Sequence, residues 1–284
     1  MIPFAIRNLK VYLRDRMSIF FSMLGVIVII AIYLLFLGDV WVQDFGGAPG
    51  ARNIMDAWIM AGILGITSLT TSLAAYEAMI TDRVKKINKD FISSPISRTS
   101  LLGGYILSGI AVGLLMSLLT LAVAEIFIFA KGGDLLTPLR FLKVLVLIVL
   151  TTVANSSIVI FLVSLFQSTA AFATASTLIG TLIGFFTGIY LPIGMMPPAV
   201  QWIIKLFPVS HAASLFRQVM MEKPLAVTFA GAPGTLEREF RLQLGVNFEF
   251  NGVLLPAWAS IAILIGTTVV FYALALWVLT RKQK

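Results

Sequence analysis

The run LLGGYILSGIAVGLLMSLLTLAVAEIFIF, residues 101–129, holds one carboxylate, Glu125, and no Lys, Arg or His among its 29 positions. At 1.5 Å of rise per residue a helix of this length reaches about 43 Å, more than the roughly 30 Å hydrocarbon core of a bilayer. It is apolar on every side rather than along one stripe, so it reads as a transmembrane helix. Five further runs meet the same test, at 17–37, 57–75, 144–166, 172–191 and 257–279. The composition agrees: 59% of the chain is hydrophobic and 12% charged, where an average soluble domain is about 25% charged. The expected fold is an all-α integral membrane protein with six transmembrane helices. Arg7, Lys10, Arg14 and Arg16 precede the first run as they would in a signal peptide. That run is longer than the roughly 7–15 residues of a signal core and is expected to be retained.

The absence of Cys and the single His exclude disulfide frameworks, thiol nucleophiles and His/Cys zinc sites, so no metal or other cofactor is expected on this chain. The formal charge of +8 arises largely from basic residues that flank apolar spans. Anionic lipid head groups suit them better than nucleic acid. Placing both termini in the cytoplasm puts 12 of the 21 Lys and Arg residues inside: four before the first span, five between the second and third, and three after the last. This follows the positive-inside bias, with Arg140 and Lys143 as exceptions. Trp41, Trp58, Trp258 and Trp277 fall at span ends and Trp202 in a short outer segment, as an aromatic belt requires. The chain is expected to be a multi-pass protein of the cell membrane.

Outside the spans, residues 1–16 carry Ile6, Leu9 and Leu13 at helical spacing, with Arg7, Lys10 and Arg14 one position further round. Such a helix lies flat on the inner leaflet, or is an ordinary basic flank of the first span. In the 77–100 loop, Lys85, Lys86 and Lys89 are explained by topology alone, whereas Asp82, Asp90 and Phe91 suit a short docking helix with a mixed-charge face. Beyond the fifth span, Pro192, Pro197 and Pro198 interrupt the chain. The apolar stretch 199–207 is too short to cross, and Pro208-Val209-Ser210 reads as a new helix start with Ser210 as its cap. Residues 192–220 are therefore expected to form a re-entrant or interfacial helical hairpin. Residues 221–255 are more polar and form an extracellular cap.

Within the spans, Ser176, Gly180, Gly184 and Gly188 recur every four residues and give the fifth helix one smooth face for another helix of this chain or of a second copy. Glu125 is the carboxylate inside a predicted span, near its outer end, where it is either a pathway residue or a structural one reaching head-group water. Asn155, Ser156 and Ser157 lie near the middle of the fourth span. They line a polar path or bond neighbouring helices.

No GxxxxGK[ST] run occurs, so the chain lacks a phosphate-cradling loop. The helix interruptions sit at the outer edge and not at the midplane, where a secondary carrier places them. His211 lacks a nucleophile beside it in the sequence reading, which argues against an intramembrane enzyme. A channel remains compatible.

Two segments carry a resemblance: Asp82-Arg83 … Phe91-Ile92-Ser93-Ser94-Pro95-Ile96-Ser97-Arg98 followed by Leu101-Leu102-Gly103-Gly104, and Gly188 … Leu191-Pro192 … Met196-Pro197-Pro198 … Phe207-Pro208-Val209-Ser210. Together and in this order they resemble the ABC-2 type transporter permeases, which include drug, antibiotic, lantibiotic and polysaccharide exporters. The resemblance covers nearly the whole chain. It implies a six-helix half-transporter with an amphipathic entry helix, a cytoplasmic coupling helix at 77–100 and re-entrant helices at 192–220. It further implies two such halves, identical or homologous, paired with two cytoplasmic ATPase subunits that bind ATP and Mg. Asp82, Arg83, Lys86, Asp90, Phe91, Ser94 and Pro95 would then form the coupling segment. The cargo is expected to be hydrophobic or amphipathic and the membrane bacterial. The stretch 221–255 is longer than this pattern calls for. The competing readings are a channel or secondary carrier outside this class, and an immunity protein that sequesters a membrane-active peptide.

Overall fold

The computed structural model describes residues 1–37, 50–87 and 97–281. The collar helix α1 (Ile2–Arg14) leads into α2 (Arg16–Ile32), which continues as a π-helical turn to Leu37; α3 (Ala51–Val84), α4 (Arg98–Ala130), α5 (Pro138–Leu165) and α6 (Thr169–Phe186) follow. Four short helices come next: α7 (Pro198–Leu206), α8 (Pro208–Met220), α9 (Glu222–Thr228) and α10 (Gly234–Gln243). A two-residue antiparallel hairpin, Glu249–Phe250 against Val253–Leu254, precedes the last helix, α11 (Ala257–Arg281). The six membrane-spanning helices are α2, α3, α4, α5, α6 and α11. An even number of crossings puts both chain ends on one side, the terminal face, and α7 to α10 with the hairpin on the other, the cap face.

The second span departs most from its expected bounds, running from Ala51 to Val84 instead of 57–75. Its charged residues end a hydropathy run without ending the helix, because protein and not lipid surrounds them: 89% of its most apolar window is buried. Asp56 and Asp82, outside the predicted run, are both buried. At 34 residues α3 is about 51 Å long and is the central column, packed by α4, α5, α6 and α8. By contrast α2, α6 and α11 present most of their surface outward, including Phe20, Phe21, Leu178, Val269 and Trp277. Their exposed apolar faces suit lipid.

The fifth helix stops at Phe186, short of residue 191. Gly188 takes a left-handed φ of +69°, its N–H reaches the Phe185 carbonyl and the Ile189 N–H reaches the Gly184 carbonyl. That paired closure is a Schellman ending, which favours glycine at the left-handed position. The expected continuous face of Gly180, Gly184 and Gly188 is therefore shorter: Gly188 terminates the helix, the Tyr190 ring covers Gly184, and Gly180 alone stays open.

The prolines punctuate the cap as helix starts. Pro192 precedes a 3₁₀ turn, Pro197 and Pro198 open α7, and Pro208 opens α8. Ser210 does not cap α8; it lies inside the first turn and its hydroxyl donates to the Phe186 carbonyl at 2.7 Å, tying α8 to the end of α6. His211 is buried beside it between Ser260 Oγ at 3.0 Å and the Lys205 carbonyl at 2.8 Å. Arg140 donates to Glu222 at 3.1 Å and holds that carboxyl below the usual range.

Candidate coupling site

The 77–100 segment meets the bundle at Asp82. Its carboxylate accepts from Arg7 Nη1 at 2.8 Å and Nη2 at 3.4 Å, and from the Tyr105 hydroxyl at 2.8 Å. Three helices, α1, α3 and α4, thus meet on one buried carboxylate. Phe4 lies edge-on to Tyr105 with ring centroids 4.9 Å apart. The close approach of α1 is possible because the facing turn of α4 is Gly103-Gly104: a β-carbon at 104 would come within 2.6 Å of Phe4, and one at 103 within 2.5 Å of Met1. The Leu101-Leu102-Gly103-Gly104 motif so acquires a physical reason.

The collar helix has three faces where two were expected. Lys10 and Arg14 form the cationic border, and Ile6 and Leu13 remain exposed beside it. Leu9 instead packs toward Tyr12, Val112 and Met116. The third face, Phe4, Asn8 and Tyr12, is buried against α4. Asp15 then caps α2 by accepting from Met17 N and Ser18 N, each at 3.1 Å.

Asp82 is therefore not a surface docking residue, as the sequence suggested; its charge is used within the chain. Arg83 also turns inward, donating to the Phe166 carbonyl at 3.0 Å at the end of α5. Lys86 sits just past α3 with a φ of +61° and an exposed side chain. Asp90, Phe91, Ser94 and Pro95 lie outside the described residues. The chain resumes at Ser97, whose hydroxyl accepts from Ser100 N at 3.3 Å to start α4.

Above this latch a polar seam joins the spans. Asn155 Nδ2 donates to Ser68 Oγ at 2.8 Å. Tyr76 shares a short hydrogen bond with Ser156, to which Tyr272 also donates at 3.3 Å. Tyr76 fits because Gly109 lies opposite: a β-carbon there would overlap the ring. Asn155 is fully buried and bonds α5 to α3. Glu125 is only partly buried, at the end of α4, and accepts from Leu136 N at 3.0 Å.

Two residues that sequence reasoning missed complete the picture. Tyr105 is one aromatic in an apolar run and carries no periodic signal. Arg217 is wholly buried, stacked 4.9 Å from the Trp58 ring centroid, and its guanidinium has no hydrogen-bond partner among the described residues. Trp58 in turn donates to the Leu244 carbonyl at 2.8 Å, so this pair fastens the cap to the outer turns of α3.

The fold is that of a multi-pass helical membrane protein whose N-terminal helix is bonded to the root of one loop. The chain belongs to the ABC-2 family transporter proteins, whose sequence profile matches residues 41–277. It is similar to nodulation protein J of Rhizobium meliloti (strain 1021), with 24% identity over 216 residues, covering 75% of this chain and 79% of that protein. The family is one of membrane permease subunits of ABC transporters.

Proposed function

We propose that this chain is one half of an ATP-driven exporter, moving a hydrophobic or amphipathic cargo out of a bacterial cell, with ATP and Mg held by two cytoplasmic ABC ATPase subunits. The carrying observation is the Arg7–Asp82–Tyr105 latch at the root of the 77–100 loop. A force applied to that loop meets α1, α3 and α4 together, which suits rigid-body transmission. The sequence lacks a nucleotide loop of its own. Arg7, Lys10, Arg14, Lys85 and Lys86 gather on the terminal face, which supports cytoplasmic termini. In this reading Lys86, Asp90, Phe91, Ser94 and Pro95 touch the ATPase while Asp82 and Arg83 anchor the loop. The helices α7 and α8 are the re-entrant pair.

Replacing Asp90 and Phe91 together by Ala should abolish stimulated ATP hydrolysis in the assembled complex and leave membrane insertion intact. Unchanged turnover would remove the docking idea. Full-speed translocation by the isolated chain in liposomes without nucleotide would favour a channel or secondary carrier instead. A second copy or a homologous permease completes the transporter, and Gly180 marks a face for it. The chain contains no Cys, so Gly180→Cys introduces a unique thiol. A disulfide-linked dimer in native membranes is expected, and its absence counts against that face.

A further inference from the structure

The cap face encloses a cavity of about 80 Å³ between the first turns of α3, the end of α4 and α9. Glu125 lines it. Its Oε2 accepts from Leu136 N, while Oε1 is buried and has no hydrogen-bond partner among the described residues. Thr228 Oγ1, another lining group, is also buried without a partner. The two cations that line the cavity are already matched: Lys223 with Asp134 at 2.7 Å, and Arg140 with Glu222 at 3.1 Å. Among the described residues, Glu125 is left as the lining charge without an ion-pair partner.

The chemistry that answers this lining is a small cation with hydrogens to donate. A carboxylate oxygen, a hydroxyl and the side-chain amide of Asn53 supply three acceptors. A primary ammonium group carries one positive charge and three N–H donors. A divalent metal fits poorly, since Ca²⁺ wants six to eight oxygen ligands and no group of three metal-ligating side chains occurs among the described residues. We propose that this cavity is a binding site for a primary ammonium group, with Glu125 as its anchor and Thr228 as a second acceptor. The ammonium belongs either to a soluble amine, such as part of a cargo, or to an aminophospholipid head group. Leu135, Leu139 and Leu142 are exposed along the adjoining wall, where acyl chains would lie. The site stands whether or not an ATPase drives the chain.

The test uses the full chain in nanodiscs of phosphatidylglycerol, titrated with methylammonium by calorimetry, with tetramethylammonium as a cation that lacks N–H donors. Saturable methylammonium binding is expected, weakened at least about tenfold by Glu125→Gln and also weakened by Thr228→Val, with no binding of tetramethylammonium. Glu125→Gln keeps an acceptor for Leu136 N, and Thr228→Val keeps the shape, so one of the two remains informative if the other fails to fold. Repeating the titration with phosphatidylethanolamine present separates the sources: competition, with that lipid retained in native mass spectra, assigns the head group, and undiminished binding assigns a soluble amine. No saturable binding by the unaltered chain, or equal binding by both variants, would mean that the cavity holds only water and would overturn the proposal.

Discussion

Arg7→Ala should detach the collar helix from the bundle, and the two partners of the latch should not be equivalent. The Asp82 side chain is 6% exposed and the Arg7 side chain 36%. Losing Arg7 leaves a buried carboxylate with Tyr105 as its remaining donor, and breaking a buried pair in that way costs about 3–5 kcal/mol. Because Arg7 is already partly hydrated, the pair is partly screened, and the lower end, about 3 kcal/mol, is the better figure. Asp82→Ala instead leaves Arg7 its bond to Asn8 Oδ1 and strands one tyrosine hydroxyl, for about 1–3 kcal/mol. Asp82→Asn keeps an acceptor for Tyr105 and should cost least of the three. Hydrogen–deuterium exchange of the chain in nanodiscs reads this directly from the amides of α1. If the collar opens as a unit, about 3 kcal/mol corresponds to a loss of protection of roughly a hundredfold, with α5 and α11 unchanged. The double variant should show a coupling of about 1–3 kcal/mol between the two positions. Unaltered α1 protection in Arg7→Ala, or additive single effects, would refute the claim that one carboxylate joins collar, second span and third span.

Two further perturbations probe the other ends of the central column. Gly109→Val places bulk where the Tyr76 ring lies and should destabilise by about 1–3 kcal/mol through overpacking, read as a lowered thermal midpoint; an unchanged midpoint would show that Tyr76 can move without loss. Arg217→Met keeps much of the side-chain volume while removing a buried guanidinium that lacks hydrogen bonds. The lost stacking on Trp58 is worth about 2 kcal/mol against a desolvation cost of several kcal/mol, so this variant should be more stable than the parent. A fall in its unfolding midpoint would mean that a bound anion or water satisfies Arg217.

Six spans were legible because each is a nearly unbroken apolar run, a signal that needs no knowledge of neighbours. The ends of α3 were not, since Asp56 and Asp82 interrupt the run but are covered by protein, and hydropathy cannot tell a residue in water from one bonded to Tyr33 or Arg7. The exposed apolar stripe and cationic border of α1 were visible in its periodicity. Its third face was hidden because Asn8 stands between Phe4 and Tyr12 and makes a buried row look polar. Gly188 matched a four-residue repeat by spacing, yet its role is conformational, and only the helix end reveals that. The latch itself joins residues 75 positions apart in the chain, a pairing that no local pattern encodes.

These contacts run the length of α3 and tie it to elements on both faces of the protein. From the terminal face upward it carries Arg83 on the end of α5, Asp82 in the latch, Tyr76 and Ser68 in the seam, and Trp58 under the cap. Each group points in a fixed direction around the helix. Successive residues are about 100° apart, so turning the helix by even one position would drag Ser68 from Asn155 and Asp82 from Arg7 together. Axial rotation is therefore the costly motion. Tilt or translation that carries α4 and α5 along keeps the seam bonds, and the flanking α2 and α6 offer little resistance because most of their surface is turned outward. A push at the loop root should thus arrive at Trp58 and Arg217 as a displacement of the cap relative to α6, whose end is tied to α8 by the Ser210 hydrogen bond and by the Phe186–Phe207 stack, with centroids 4.7 Å apart.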